Sequence, residues 1–94
     1  MSEMELKSII EAAIFACDEP ITIERLLSLF SETERPEKAE LKALLESLAE
    51  DYQERGIELQ RIASGYRFQA KADFAPWLQK LWEKKPPRYS RAIL

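Results

Sequence analysis

Histidine is absent from this chain, and cysteine occurs once, as Cys17. Without histidine, the commonest general base and the commonest transition-metal ligand are both missing. One cysteine builds neither a zinc site nor an internal disulfide, so a reducing cytoplasm fits best. The two glycines, Gly56 and Gly65, lie apart, which leaves no glycine-rich loop to cradle a phosphate. No apolar run approaches the roughly 20 residues needed to cross a bilayer, so no membrane contact is expected. The opening Met1–Lys7 is acidic and lacks the apolar stretch of a signal peptide. Carboxylate pairs such as Glu50 with Asp51 or Glu54 remain, but on a polar helix face they solvate rather than catalyse. These absences predict a protein that is not an enzyme and uses no cofactor or metal.

What is present is one small domain of 94 residues with a single modest core. Its net charge of −3 is unevenly spread. Residues 1–54 carry five basic and fourteen acidic side chains, a net of −9; residues 55–94 carry nine and three, a net of +6. Each half could solvate itself, or the two could attract one another within the fold or between copies.

The stretch Glu37–Glu54 organises the rest. Leu41, Leu44, Leu45, Leu48 and Tyr52 recur at helical spacing and form one apolar face. The opposite face holds Glu37, Glu40, Glu46, Glu50, Asp51 and Glu54 against only Lys38 and Lys42. Before it, a first helix is expected over Glu3–Cys17, with Ser2 as N-cap and Glu5 completing a capping box. Leu6, Ile9, Ile10, Ala13, Ile14 and Cys17 gather on one side. Phe15 points almost the opposite way, to be covered by the next loop or by another chain. Pro20 ends this helix. Ile21 reads as a short strand, and Thr22 caps a second helix over Ile23–Phe30 that buries Leu26, Leu27 and Phe30. Ser31–Pro36 is a polar loop. Gly56 is expected in a left-handed turn that stops the third helix.

Ile57–Ile62 and Tyr66–Ala70 alternate as strands around Ala63-Ser64-Gly65 and predict a β-hairpin. The phase break at Ile62 predicts a bulge or an edge position. A last helix is expected from Asp73 as N-cap, with Phe74, Trp77, Leu78, Leu81 and Trp82 on one face and both tryptophans in the core. The order is helix, short strand, helix, helix, β-hairpin wing and C-terminal helix. This is an α+β, mostly helical, winged helix-turn-helix over residues 1–83. Residues 84–94 read as a linker and the start of a second such domain, so the chain is expected to be part of a longer one.

Several segments together resemble the segregation and condensation protein B family. They are Glu11–Ile21, Gly56–Leu59, Gly65–Phe68, Phe74–Leu78 and Pro87–Ala92. The resemblance implies two tandem winged-helix domains, of which this is the first, and a homodimer formed through the first domains. It also implies binding to the kleisin subunit ScpA and, through it, to SMC, in chromosome condensation and segregation. The family's second domain, which carries much of the kleisin contact, lies beyond this chain. A cytoplasmic, nucleoid-associated location follows, with nucleic acid met only indirectly.

The alternative is a DNA-binding transcriptional regulator. In such a layout the third helix enters the major groove. Here that helix carries a net −4, which the phosphate backbone would repel. The acidic helix therefore favours protein partners. The candidate protein interface comprises Ala12, Phe15, Tyr66, Phe68 and Trp82. Candidate weak nucleic-acid contacts are Arg61, Arg67, Lys71, Lys84 and Lys85.

Overall fold

The computed structural model describes residues 1–84. The expected linker and second-domain start, and with them Lys85, lie outside the described residues. Helix α1 spans Glu3–Ala16. The Ser2 hydroxyl accepts from the Glu5 N–H at 3.1 Å, and the Glu5 carboxylate accepts from the Ser2 N–H at 3.0 Å. This reciprocal box satisfies two of the donors that a helix start leaves orphaned. The bond from the Ser2 N–H holds the Glu5 carboxyl below its ordinary range, because it favours the ionised form. Leu6, Ile10 and Ile14 are buried, while Ala13 and Cys17 sit partly buried at the rim of the core.

Strand β1 is only Ile21–Thr22, and Thr22 also caps helix α2 by accepting from the Arg25 N–H. Helix α2 covers Ile23–Leu27, shorter than the expected Ile23–Phe30. The Ser28 hydroxyl donates to the Arg25 carbonyl at 2.6 Å, and Leu29 and Phe30 bond to Leu26 and Leu27 in tighter three-residue steps. A serine that bonds the preceding turn competes with α-helical continuation. The tightened turn still delivers Phe30 into the core.

Helix α3 spans Lys38–Asp51 and buries Leu41, Leu44, Leu45 and Leu48. Its end differs from the expectation. No glycine has positive φ, so Gly56 adopts no left-handed turn. The helix instead unwinds through three-residue bonds from Tyr52, Gln53 and Arg55 to Ala49, Glu50 and Tyr52. Lys7 ties α1 to α3, donating to Ser47 at 2.8 Å and pairing with Asp51 at 2.7 Å.

Strands β2 (Ile57–Ile62) and β3 (Gly65–Ala70) form the wing, and the sheet order is β1-β3-β2, antiparallel throughout. Pairing runs without interruption from Ile57↔Ala70 to Ile62↔Gly65, so there is no bulge. Opposed residues share a face. Leu59, Phe68 and Tyr66 therefore lie on the core side and Ile62 on the outer side, which explains its phase break. As the sequence suggested, β2 is an edge strand.

The turn inverts the expected roles of its residues. Ala63, not glycine, takes the left-handed conformation, with φ of 56°. Gly65 lies in β3, opposite both Ile62 and Thr22. Left-handed backbone costs an L-residue about 1 kcal/mol. Ala63→Gly should therefore stabilise the domain by roughly 0.5 kcal/mol, after glycine's greater unfolded-state entropy is counted. Urea denaturation of the two proteins side by side measures this.

Asp73 does not cap the last helix. A 3₁₀ turn, Ala72–Phe74, follows Lys71 and leads into α4, Ala75–Lys84. The tryptophans are not in the core either. Trp77 is 66% exposed and Trp82 62% exposed, with Leu81 at 61%. The core consists of aliphatic residues and Phe30, contributed by α1, β1, α2 and α3, with Leu59, Tyr66 and Phe68 of the wing packed against it.

Candidate functional site

Three of the five expected interface residues converge. Ala12 and Phe15 on α1 and Phe68 on β3 line one apolar hollow together with Ser8, Glu11, Tyr52 and Ile57. It arises because α1 is apolar beyond the stripe it buries, and because the wing's core face extends past the core's edge. Phe15 is 77% exposed, and no loop among the described residues covers it. The hollow measures about 240 Å³, below the roughly 300 Å³ at which small-molecule sites begin, and offers room for a side chain rather than a cofactor.

The floor of the hollow is fixed. Tyr52 and Phe68 pack with ring centroids 5.0 Å apart at 54°, a tilted geometry that suits aromatic quadrupoles. The Tyr52 hydroxyl donates to the Glu11 carboxylate, which joins the end of α3 to α1. That bond, followed by burial and the Glu11 charge, raises the Tyr52 phenol above the ordinary 10.0. The neutral phenol is the form that donates. Its contribution to stability is therefore full below the ordinary tyrosine value and is lost as pH climbs through the raised folded value. Tyr52→Phe should cost about 1 kcal/mol at neutral pH and reduce the loss of stability seen above about pH 10. Denaturation midpoints measured from neutral to strongly alkaline pH test both parts.

Tyr66 stands apart from this hollow. It packs on the core and lines a separate shallow groove with α3 residues Lys42, Leu45, Glu46 and Ala49. Trp82 is on neither surface; it belongs to α4. The sequence placed Phe74, Trp77, Leu78, Leu81 and Trp82 on one face, and of these Phe74, Trp77, Leu81 and Trp82 are exposed. The sequence reading missed Tyr52, Ile57 and Glu11 as lining residues. A signal existed, since Tyr52 extends the leucine face of α3 beyond the length of core needed to cover it.

The described basic candidates, Arg61, Arg67 and Lys71, do not form one patch. Arg61 is opposite Tyr66 on the core side of the wing, and Arg67 is opposite Gln60 on the outer side. The Lys71 ammonium donates to the Gln53 carbonyl and braces the loop after α3. Lys84 ends α4, and its side chain, like Lys85, lies outside the described residues. The outward face of α3 exposes Glu40, Glu46, Glu50 and Asp51. Cations dispersed over two faces, beside an acidic helix in the groove-reading position, make a poor DNA surface. Among the described residues, no group of acidic or cysteine side chains could hold a metal ion. No described helix is long and apolar enough to cross a membrane.

Comparison with known proteins gives the same architecture. Over all 94 residues the chain is 62% identical to a segregation and condensation protein B homolog from Coxiella burnetii, of which it covers 45%. The crystal structure of ScpB from Mycobacterium tuberculosis superposes with a TM-score of 0.76 at 30% identity, over 97% of this chain and 56% of that one. A crystal structure described as a dimer of ScpB N-terminal domain complexed with ScpA peptide superposes with a TM-score of 0.71 at 31% identity. That match covers 83% of this chain and 95% of the other. The chain thus spans about half the length of the curated relatives it matches and corresponds to their N-terminal winged-helix domain. The family model for the segregation and condensation complex subunit ScpB matches residues 8–94, and the chain belongs to that family.

Proposed function

We propose that this chain is a dimerising, non-enzymatic module of a bacterial SMC–kleisin complex, acting in chromosome condensation and segregation. It pairs with a second copy of itself and binds the kleisin ScpA, which links it to SMC. It works in the cytoplasm, associated with the nucleoid, and meets DNA only through the complex. The observation that carries this reading is the large apolar surface left uncovered on a small domain. Phe15 and the apolar face of α4 are exposed, while the core is built from other elements. Exposed apolar patches of this kind mark protein contacts. The likeness to an N-terminal domain crystallised as a dimer with a ScpA peptide supports the same reading. The acidic surface of α3 opposes the alternative of a DNA-binding regulator.

Light scattering coupled to size exclusion at micromolar concentration tests the self-association. The expected mass is twice the 10.9 kDa of one chain. Titration of a fluorescently labelled ScpA segment should then raise its anisotropy. A mass of one chain at every concentration, with no anisotropy change, would overturn the proposal.

A further inference from the structure

The wing has one long free edge. In the order β1-β3-β2, strand β2 is bonded on one side only, and its six residues contain neither proline nor bulge. The Lys71 N–H donates to the Gly56 carbonyl at 3.0 Å, one step beyond Ile57↔Ala70 in the same register. Bonded pairs alternate along an antiparallel ladder. Glu58, Gln60 and Ile62 therefore turn their N–H and C=O groups to β3, while Ile57, Leu59 and Arg61 turn theirs outward. Among the described residues, no other backbone group bonds to those three. An edge of this kind is a template for an added strand.

Beside the edge lies a groove. Leu59 and Arg61 line it with Tyr66 and with Lys42, Leu45 and Glu46 of α3. Its volume of about 240 Å³ suits one side chain. The outward face of α3 is acidic, but in this groove two cations, Lys42 and Arg61, stand against Glu46 alone, a net of +1. Both cations are exposed, and among the described residues neither is in an ion pair. We propose that an extended segment of the kleisin adds to the β2 edge as a fourth strand, with an apolar side chain in the groove and a carboxylate beside Arg61 and Lys42. This rests on the kleisin reading above and assigns the surface. Main-chain bonds to Ile57, Leu59 and Arg61 supply affinity, and the groove sets register. Arg61, a charge on the core side of the edge, also disfavours pairing with the edge of another sheet.

Amide hydrogen exchange, read residue by residue by NMR, tests this directly. In the free chain the amides of Ile57, Leu59 and Arg61 should exchange at least about tenfold faster than those of Glu58, Gln60 and Ile62. Saturation with the ScpA segment should slow the first three by about tenfold or more. In the anisotropy titration, Arg61→Gln removes the charge alone and should weaken binding about threefold, and Arg61→Glu about tenfold. Arg61→Pro also removes the outward N–H, at a position where proline spares the β2–β3 ladder. It should weaken binding by a further tenfold or so relative to Arg61→Gln, with its denaturation midpoint measured alongside. Should that variant fail to fold, the exchange pattern of the unaltered chain still decides.

A saturated complex in which the Ile57, Leu59 and Arg61 amides exchange as fast as before would overturn the proposal and leave the kleisin reading standing. Protection of those amides that grows with chain concentration without ScpA would place a second copy on the edge, and would also overturn it. Absence of any anisotropy change with the unaltered chain removes both readings.

Discussion

Leu41→Ala should destabilise the domain by about 3–4 kcal/mol, the cost of removing a fully buried leucine where the surroundings cannot collapse. Leu41 is 0% exposed and belongs to the cluster where α1, α2 and α3 meet. It sits in the first turns of α3, and its N–H closes the first bond of that helix, to the Glu37 carbonyl at 2.9 Å. No side chain caps that helix start. Packing therefore anchors this end, and the cavity left by alanine would be felt there first. A domain of this size is stable by only about 5–15 kcal/mol, so the variant should lose a large share of its folded-state margin. Urea denaturation followed by circular dichroism measures it, and an unchanged slope with a lower midpoint is expected. A shift below about 1 kcal/mol would mean that the site repacks, and that α3 is not the keystone of the core.

Gly65→Ala should cost about 2–3 kcal/mol for the opposite reason, a methyl group with nowhere to go. A Cβ built at Gly65 stands 2.7 Å from the Cβ of Pro20, 3.0 Å from its carbonyl carbon and 3.2 Å from the Ile21 nitrogen. Two of those three atoms are backbone, and proline cannot swing aside as a long side chain would. The strain would push β1 away from β3, where Thr22 opposes Gly65 and Ile21 opposes Tyr66. Ile21 is core, so the damage would reach the interior. The matched control is Gly56→Ala. Nothing lies within 4 Å of a Cβ there, and its φ is not positive. It should change stability by less than about 0.5 kcal/mol. Denaturation midpoints should separate the two variants, and amide shifts around Pro20–Thr22 should move in Gly65→Ala alone. Equal effects at both glycines would refute the close-approach argument.

The two glycines show why a sequence pattern can be right about an element and wrong about the residue that makes it. Glycine beside a strand suggests a turn, and Gly65 is indeed next to one. Yet its lack of a side chain serves the approach of Pro20, and Ala63 bears the left-handed backbone. Turn propensity is local, whereas close approach depends on a segment more than forty residues away in sequence. Gly56 was assigned a conformation that the chain avoids, because three-residue bonds already satisfy the carbonyls at the end of α3.

Much of the candidate site was readable in the same limited way. Phe15 stood out because it breaks the apolar stripe of α1, and Ala12 follows from the same face. Their company with Phe68, Tyr52 and Ile57 could not be read, since it depends on how α1 crosses the wing. The periodicity of α4 was plain, but its partner was not. Helical spacing says that one face must be covered and is silent on whether the cover comes from the same chain. The sequence reading assigned both tryptophans to the core on the general ground that large aromatics fill small interiors. Leucine and isoleucine from four other elements had already filled it.

The sequence by itself determined the elements, their order and the aliphatic core. Helical period, caps at Ser2 and Thr22, and strand alternation are local properties that a linear chain carries in full. It also determined the acidity of α3. Only the tertiary structure decided which apolar residues remain in water, because burial is a competition for a limited interior volume. That competition left Phe15 and the apolar face of α4 exposed on a domain whose core is built from other elements.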